Sequence, residues 1–391
     1  MVTIFTAVYN RCALIERLYE SLERQTDKNF EWIIVDDGSM DYLHKKVIDD
    51  WMKEKQEYEI KYIYTRNGGK HRAINLGVKI SKAQAFMIVD SDDYLTDDAV
   101  SFINKEFLTI ADNEQFAGMS GLKAFYSNGA IMGGEPNYKG YVDATNLERE
   151  KYNLLGDKAE VYKTDILRKY PFPEYDGETF CGEGIVFNHI GFDGYKIRWF
   201  TKVLYMAEYM EDGLTNNMLR ILRDNPKGWA INMTSQCEWE GWDEKKKYDI
   251  YFDFFEVESE RLSQMDICGL LDIDEDYYRK MAQKKEYIKE SIWKVIHDNN
   301  INSLALYGMG VYGRRMLRYL EEMGIEIRYA IDRNYKNIKT NYILYDLKDD
   351  IPTVDSICIT LKEKDSRLEK MLCNKFPSTF IWNFADLTES D

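Results

Sequence analysis

Over the first hundred residues, short apolar runs alternate with polar stretches, and each run closes on polar or acidic residues. Residues 2–8 are mainly apolar and stop at Asn10. Trp32-Ile33-Ile34-Val35 stops at Asp36-Asp37-Gly38-Ser39, and Ile60 to Tyr64 and Ala85 to Val89 give two further runs. Between the first two, Leu14, Ile15, Leu18 and Leu22 recur at the spacing of one helix face, and another helical segment starts at Arg72. Strand and helix alternating in this way predict an α/β fold with a mainly parallel sheet, whose ligands bind at the carboxyl ends of the strands. From about residue 115 to 210 the pattern loosens into Gly-rich loops and short strands such as Gly121 to Tyr126. Residues 214–300 read as helical and charged, and a new alternation opens at Ile301. The expected division is therefore 1–215, 216–300 and 301–391, although no repeat, low-complexity tract or Gly/Ser-rich linker marks the borders.

Composition narrows the classes. The 391 residues are 45% hydrophobic and 14% aromatic, enough for real cores, and the length suits two or three domains. A net charge of −16 argues against a nucleic-acid surface and against a polybasic grip on lipid, leaving peripheral membrane contact at most. The first residues, MVTIFTAVYN, read as a strand rather than a signal peptide, and no apolar run is long enough to span a bilayer. Cysteines at 12, 181, 237, 268, 358 and 373 are scattered and read as reduced thiols, which places the protein in the cytoplasm.

Three polar clusters follow strand ends: Tyr9-Asn10, Asp36-Asp37, and Asp90-Ser91-Asp92-Asp93. One Asp-rich turn is ordinarily solvated loop. Three on one sheet edge point to a site. An acidic cluster can hold Mg2+ or Mn2+, hard ions that take one or two carboxylates and leave room for water and substrate phosphates. The spacing of Asp90 and Asp92 suits such an ion, which would stabilise a departing diphosphate. Lys70, His71 and Arg72 form a dense cationic cluster after Gly68-Gly69. Cations oppose the dipole at a helix N-terminus, so they either face solvent or hold an anion such as a diphosphate.

The ordered segments TAVYN (6–10), VDDGS (35–39), NGGKHRAINLG (67–77) and VDSDD (89–93) resemble the motifs of family-2 glycosyltransferases of the GT-A fold, over roughly residues 1 to 215. The resemblance implies that Thr6 and Tyr9 line a nucleotide pocket and that Asp36 or Asp37 contacts base or ribose. It further implies that Asp90 and Asp92 bridge the sugar-nucleotide and the metal; independently of it, Gly69 allows close backbone approach, Lys70 and Arg72 are candidate contacts to the diphosphate or donor sugar, and Ser91 is a further candidate donor contact. Inverting transfer needs a carboxylate to take the acceptor's proton. The resemblance places it in FCGEGIVFNHIG (180–191), where Glu183 is followed by Gly184 instead of a second acid. Glu183 is the candidate base, equally readable as a helix-start acid, with Asp176, Glu178 and Asp212 as competitors. Residues 205–217 resemble a closing loop and also read as a plain turn.

In LALYGMGVYG, Gly308, Gly310 and Gly313 make GxGxxG between a strand and a helix, and the next strand ends at Asp332. This is the pattern of a nucleotide- or dinucleotide-binding Rossmann-like half, although the glycines also suit tight strand-to-helix packing. His44, His189 and His297 stand apart, which argues against a histidine metal site. Residues 237–258, with Trp239 and Trp242, read as a packing stripe or as an acceptor platform.

The expected function is metal-dependent inverting transfer of a sugar, from a nucleoside-diphosphate donor such as a UDP-sugar, to a hydroxyl of a cell-surface polysaccharide or lipid-linked glycan. The alternative is a nucleotide-sugar sensor or scaffold without turnover. An NAD-dependent oxidoreductase built on the C-terminal glycines is a third reading.

Overall fold

The computed structural model describes residues 1–40, 43–53, 57–208, 218–338 and 340–388, apart from the side chains of 12, 13, 43–45 and 337. The chain divides into two compact units, Met1–Asp272 and Ile273–Asp391.

The first unit begins β1 (Val2–Val8), α1 (Cys12–Glu23), β2 (Phe30–Asp36), α2 (Leu43–Lys53), β3 (Glu59–Tyr64), α3 (Lys70–Ile80) and β4 (Ala85–Ile88). β1, β2, β3 and β4 are parallel neighbours in the order β3-β2-β1-β4. Alternation along β1 decides which side chains face which layer. Ile4 and Val8 pack with Trp32, Ile34 and the α1 face of Ile15, Leu18 and Leu22. Phe5 packs with Ile33, Val35 and the α3 residues Ala73, Ile74 and Val78. The helices thus cover opposite faces, and the strand ends stay open.

The looser region continues β5 (Tyr94–Leu95), α4 (Ala99–Phe107), β6 (Phe116–Phe125), β7 (Tyr141–Ala144), β8 (Lys158–Lys163), α5 (Thr164–Lys169), α6 (Gly184–Phe192) and β9 (Lys196–Ala207). It extends the sheet as β4-β8-β6-β9-β5, with β7 on β9. β8 is antiparallel to both β4 and β6, so the sheet is mixed. β6 is ten residues long, well beyond the short strand expected. Its glycines hid it: a Cβ at Gly118 would lie 2.1 Å from the Val161 carbonyl oxygen, and one at Gly121 would lie 2.5 Å from Leu204.

α7 (Met218–Asp224), α8 (Pro226–Trp239), α9 (Glu244–Glu258) and α10 (Gln264–Leu271) complete the first unit, and α11 (Glu275–Asp298) opens the second. The helices expected as one connecting region over 216–300 therefore divide between the two units. Along 237–258, Tyr251, Phe252, Phe254 and Phe255 are buried as a packing stripe. The second unit continues β10 (Leu304–Tyr307), α12 (Val311–Glu322), β11 (Ile327–Ile331), β12 (Leu344–Tyr345), β13 (Ser356–Ile359), α13 (Ser366–Lys375) and β14 (Phe380–Asn383). Its five strands are all parallel, ordered β12-β11-β10-β13-β14. No helix among the described residues is long and apolar enough to cross a membrane.

Candidate active site

A cleft of about 470 Å3 opens where β1, β2 and β4 end. Tyr9, Asp37, Gly69, Lys70, Asp90, Ser91 and Asp92 all line it, so four sequence segments far apart in the chain meet there. Tyr9 is half exposed at the mouth, while Ser91 is buried.

The acids fall into two groups. Asp36 is buried within the sheet edge, accepting from the Ser39 amide at 2.8 Å and the Tyr62 hydroxyl at 2.7 Å. Asp37 accepts from the amides of Gly68 and Gly69, each at 2.8 Å, and from Asn67 Nδ2 at 3.2 Å. Asp37 thus orders the loop that carries the cations. Asp90 and Asp92 instead face cationic side chains: Lys70 Nζ lies 2.6 Å from Asp90 Oδ1, and Arg11 reaches Asp92 Oδ2 at 2.7 Å. Asp93 is buried and pushed up to about 7, by burial first and then by the charge of Asp90.

Lys70 begins α3, where the dipole disfavours a cation. The compensating anions come from the chain itself, because the same Nζ also lies 2.7 Å from Glu183 Oε1. Burial opposes its charge, yet Asp90 and Glu183 overcome this and hold the ammonium above the ordinary lysine range. Gly69 makes the placement feasible: its φ is +97°, and a Cβ there would lie 1.8 Å from the Thr179 carbonyl oxygen.

Other expected residues stand elsewhere. Thr6 does not line the cleft. It shares the inward face of Ile4 and Val8, fully buried, and accepts from Trp32 Nε1 at 3.1 Å. Arg72 is spent on the backbone, donating to the carbonyls of Gly68 (3.2 Å), Glu178 (3.0 Å) and Tyr175 (2.6 Å), so its fork anchors a loop. His71 is buried and neutral, pulled down to about 4 by burial and by Arg72. Glu178 is buried and accepts from the amides of Lys227 and Gly228, each at 2.8 Å, at the start of α8. Asp176 is exposed. Asp212 and most of the expected closing loop, residues 209–217, lie outside the described residues. Lys123, Asp157 and Glu208 line the cleft without having been expected. They sit on or beside strands whose order in the sheet no sequence spacing reveals.

The donor set at the cleft suits a hard cation through Asp90 and Asp92, since carboxylate oxygens are its preferred ligands. Among the described residues, no three His, Cys, Asp or Glu side chains converge as a ready-made metal cage. The fit is to an ion completed by substrate phosphate and water.

In the second unit, Gly308 has φ +98°, and a Cβ at Gly313 would lie 2.1 Å from the Gly308 carbonyl oxygen, so α12 approaches β10 closely. Asp332 binds this loop directly, accepting from the Met309 amide at 2.7 Å and the Asn334 amide at 2.7 Å. Its carboxylate is thus engaged by the chain's own amides, and Gly310 starts the helix.

EpsJ of Bacillus subtilis, an uncharacterized glycosyltransferase, is 34% identical over 96 residues, 25% of this chain and 27% of that protein. Glycosyltransferase GlyG of Streptococcus pneumoniae is 28% identical over 107 residues, covering 27% and 35%. A teichoic acid poly(glycerol phosphate) polymerase of Staphylococcus epidermidis is 33% identical over 106 residues, covering 27% and 14%. The matched segment therefore spans about a third or less of these relatives. Among solved structures, S. aureus TarS 1-349 in complex with UDP-GlcNAc is similar with TM-score 0.46 and 18% identity, covering 74% of this chain and 80% of that one. Residues 3–128, which carry the cleft's Tyr9, Asp37, Lys70, Asp90 and Asp92, match glycosyl transferase family 2, and this part of the chain is a domain of that family.

Proposed function

We propose that the protein is a metal-dependent, inverting glycosyltransferase. It moves a sugar from a nucleoside-diphosphate sugar, a UDP-sugar first among the candidates, to a hydroxyl of a cell-surface polysaccharide or lipid-linked glycan. The observation that carries this reading is the Lys70 ammonium, which lines the cleft and joins Asp90 of the acidic motif to Glu183 at the start of α6. The match to a teichoic acid polymerase supports a cell-surface polymer as the acceptor class.

Glu183 takes the proton of the acceptor hydroxyl as that oxygen bonds to the anomeric carbon. The bond from that carbon to the diphosphate breaks on the opposite face, and its electron pair leaves with the diphosphate. Lys70, fixed between the two carboxylates, offers positive charge to the departing group. Mg2+ or Mn2+ held by Asp90 and Asp92 would add Lewis-acid stabilisation of the diphosphate. Tyr9 and Asp37, with Gly69, border the space for the nucleoside. The glycine loop at Gly308, Gly310 and Gly313 is a second candidate nucleotide site, not used in this reaction.

The test is calorimetric titration with UDP-, GDP- and dTDP-sugars in Mn2+, followed by transfer assays. Donor binding that Asp92→Ala weakens, with turnover that Glu183→Gln reduces by about 100-fold or more, is expected. Unaltered binding and turnover in Asp92→Ala would overturn the reading. Glycine at position 184, after Glu183, favours a second reading as a nucleotide-sugar sensor, which predicts donor binding without product for any acceptor.

A further inference from the structure

Behind the cleft lies a second, small void of about 20 Å3, bordered by Lys70, Glu160, Tyr162 and Glu183. Its makeup follows from strand alternation: Glu160 and Tyr162 stand two apart on β8 and so share a face. The Tyr162 ring is held by stacking on Phe187, with centroids 4.6 Å apart, and the residue is only 2% exposed. Its hydroxyl has no hydrogen-bond partner among the described residues. A buried hydroxyl left unpaired is unfavourable, and a polar void needs only roughly 10–15 Å3 to hold one water.

Glu160 is itself mostly buried. Burial raises its carboxyl above the ordinary range, and the charge of Glu183 adds to this against Arg149 and Lys123. Arg149 Nη1 stands 3.9 Å from Glu160 Oε1. Three carboxylates, Glu160 on β8, Glu183 at the start of α6 and Asp90 after β4, thus border one water-sized space, with Lys70, Lys123 and Lys158 also lining it.

We infer that this void holds a single water linking Tyr162 Oη to Glu160 and Glu183, and that Glu160 is a positioning residue for Glu183, taking up the place of the second acid absent at Gly184. The inference rests on the proposed transfer reaction for its role, though not for the water. With the water in place, Glu183 is fixed on one side by Lys70 and on the other by the Glu160-water pair. Its remaining freedom is turned toward the acceptor.

The tests separate the two layers. A crystal structure of the full chain at a resolution showing ordered water is expected to place one water within hydrogen-bond reach of Tyr162 Oη and of the Glu160 and Glu183 carboxylates. A dry void, or a water out of reach of Glu160, overturns the inference whether or not the protein is active. In transfer assays, Glu160→Gln is expected to lower kcat at least about tenfold, the scale of a misplaced reacting group, with KM for the donor within about twofold. Tyr162→Phe, which keeps the ring stack, is expected to move kcat in the same direction. An unchanged kcat in Glu160→Gln, or a KM that rises in step with the loss, overturns the positioning role. If the wild-type chain binds no nucleoside-diphosphate sugar, the functional reading fails, and the crystallographic water still decides the void.

Discussion

Lys70 gathers three separate stretches of chain, and its position depends on the residue before it. Gly69 adopts a backbone conformation that L side chains rarely take, against the Thr179 carbonyl oxygen. Gly69→Ala is expected to destabilise the fold by about 2 kcal/mol or more and to weaken donor binding, read by denaturant midpoint and titration. Asp93, which lines the same cleft, gives a pH signature. Asp93 releases its proton near 3.8 when unfolded and near 7 when folded, so between those values the folded state binds more protons. Stability contributed by this group therefore falls as pH rises through that window. Asp93→Asn should remove that slope and stabilise the protein at pH 8 by about 1–3 kcal/mol, while changing little at pH 4. Urea unfolding at the two pH values measures the difference.

At the scale of elements, the start of α8 is tied to the cleft. Glu178 accepts two first-turn amides of α8, and Asn225 Oδ1 accepts from Thr179 at 2.7 Å and Phe180 at 2.9 Å. Thr179 and Phe180 line the cleft, so the helix start fixes one of its walls. Glu178→Ala leaves two amides unpaired beside a helix dipole that favours an anion, and about 1–3 kcal/mol of destabilisation is expected. A thermal melt measures this, and the same variant should weaken donor binding more than it changes kcat. A loss confined to kcat would instead mark Glu178 as chemical.

At the scale of the whole molecule, the division follows helix ends. α10 ends at Leu271 and is capped by Asp272, whose φ is +51°, and α11 is capped at its start by Asp274, whose side chain accepts from the Tyr277 amide at 2.7 Å. Each unit has its own apolar core. Fragments 1–272 and 273–391 are each expected to unfold cooperatively when expressed alone, with donor binding confined to the first. Circular dichroism melts and titration of both fragments check this, and a first fragment that fails to fold would contradict the division.

The sequence by itself determined the alternating strands and helices of the first hundred residues, because buried strands and amphipathic faces need repeating apolar positions. It also determined that Tyr9, Asp37, Lys70 and Asp90 would meet, since parallel strands bring their carboxyl ends to one edge. The tertiary structure decided what spacing does not encode. Thr6 turned inward because alternation along β1 puts it on the face of Ile4, and Arg72 went to backbone carbonyls because the loop at 175–178 passes beside it. Lys123 and Glu160 reached the site through the order β4-β8-β6, in which long loops and antiparallel pairing bring distant strands together. That order is set by packing between residues far apart in the chain, which no local pattern records.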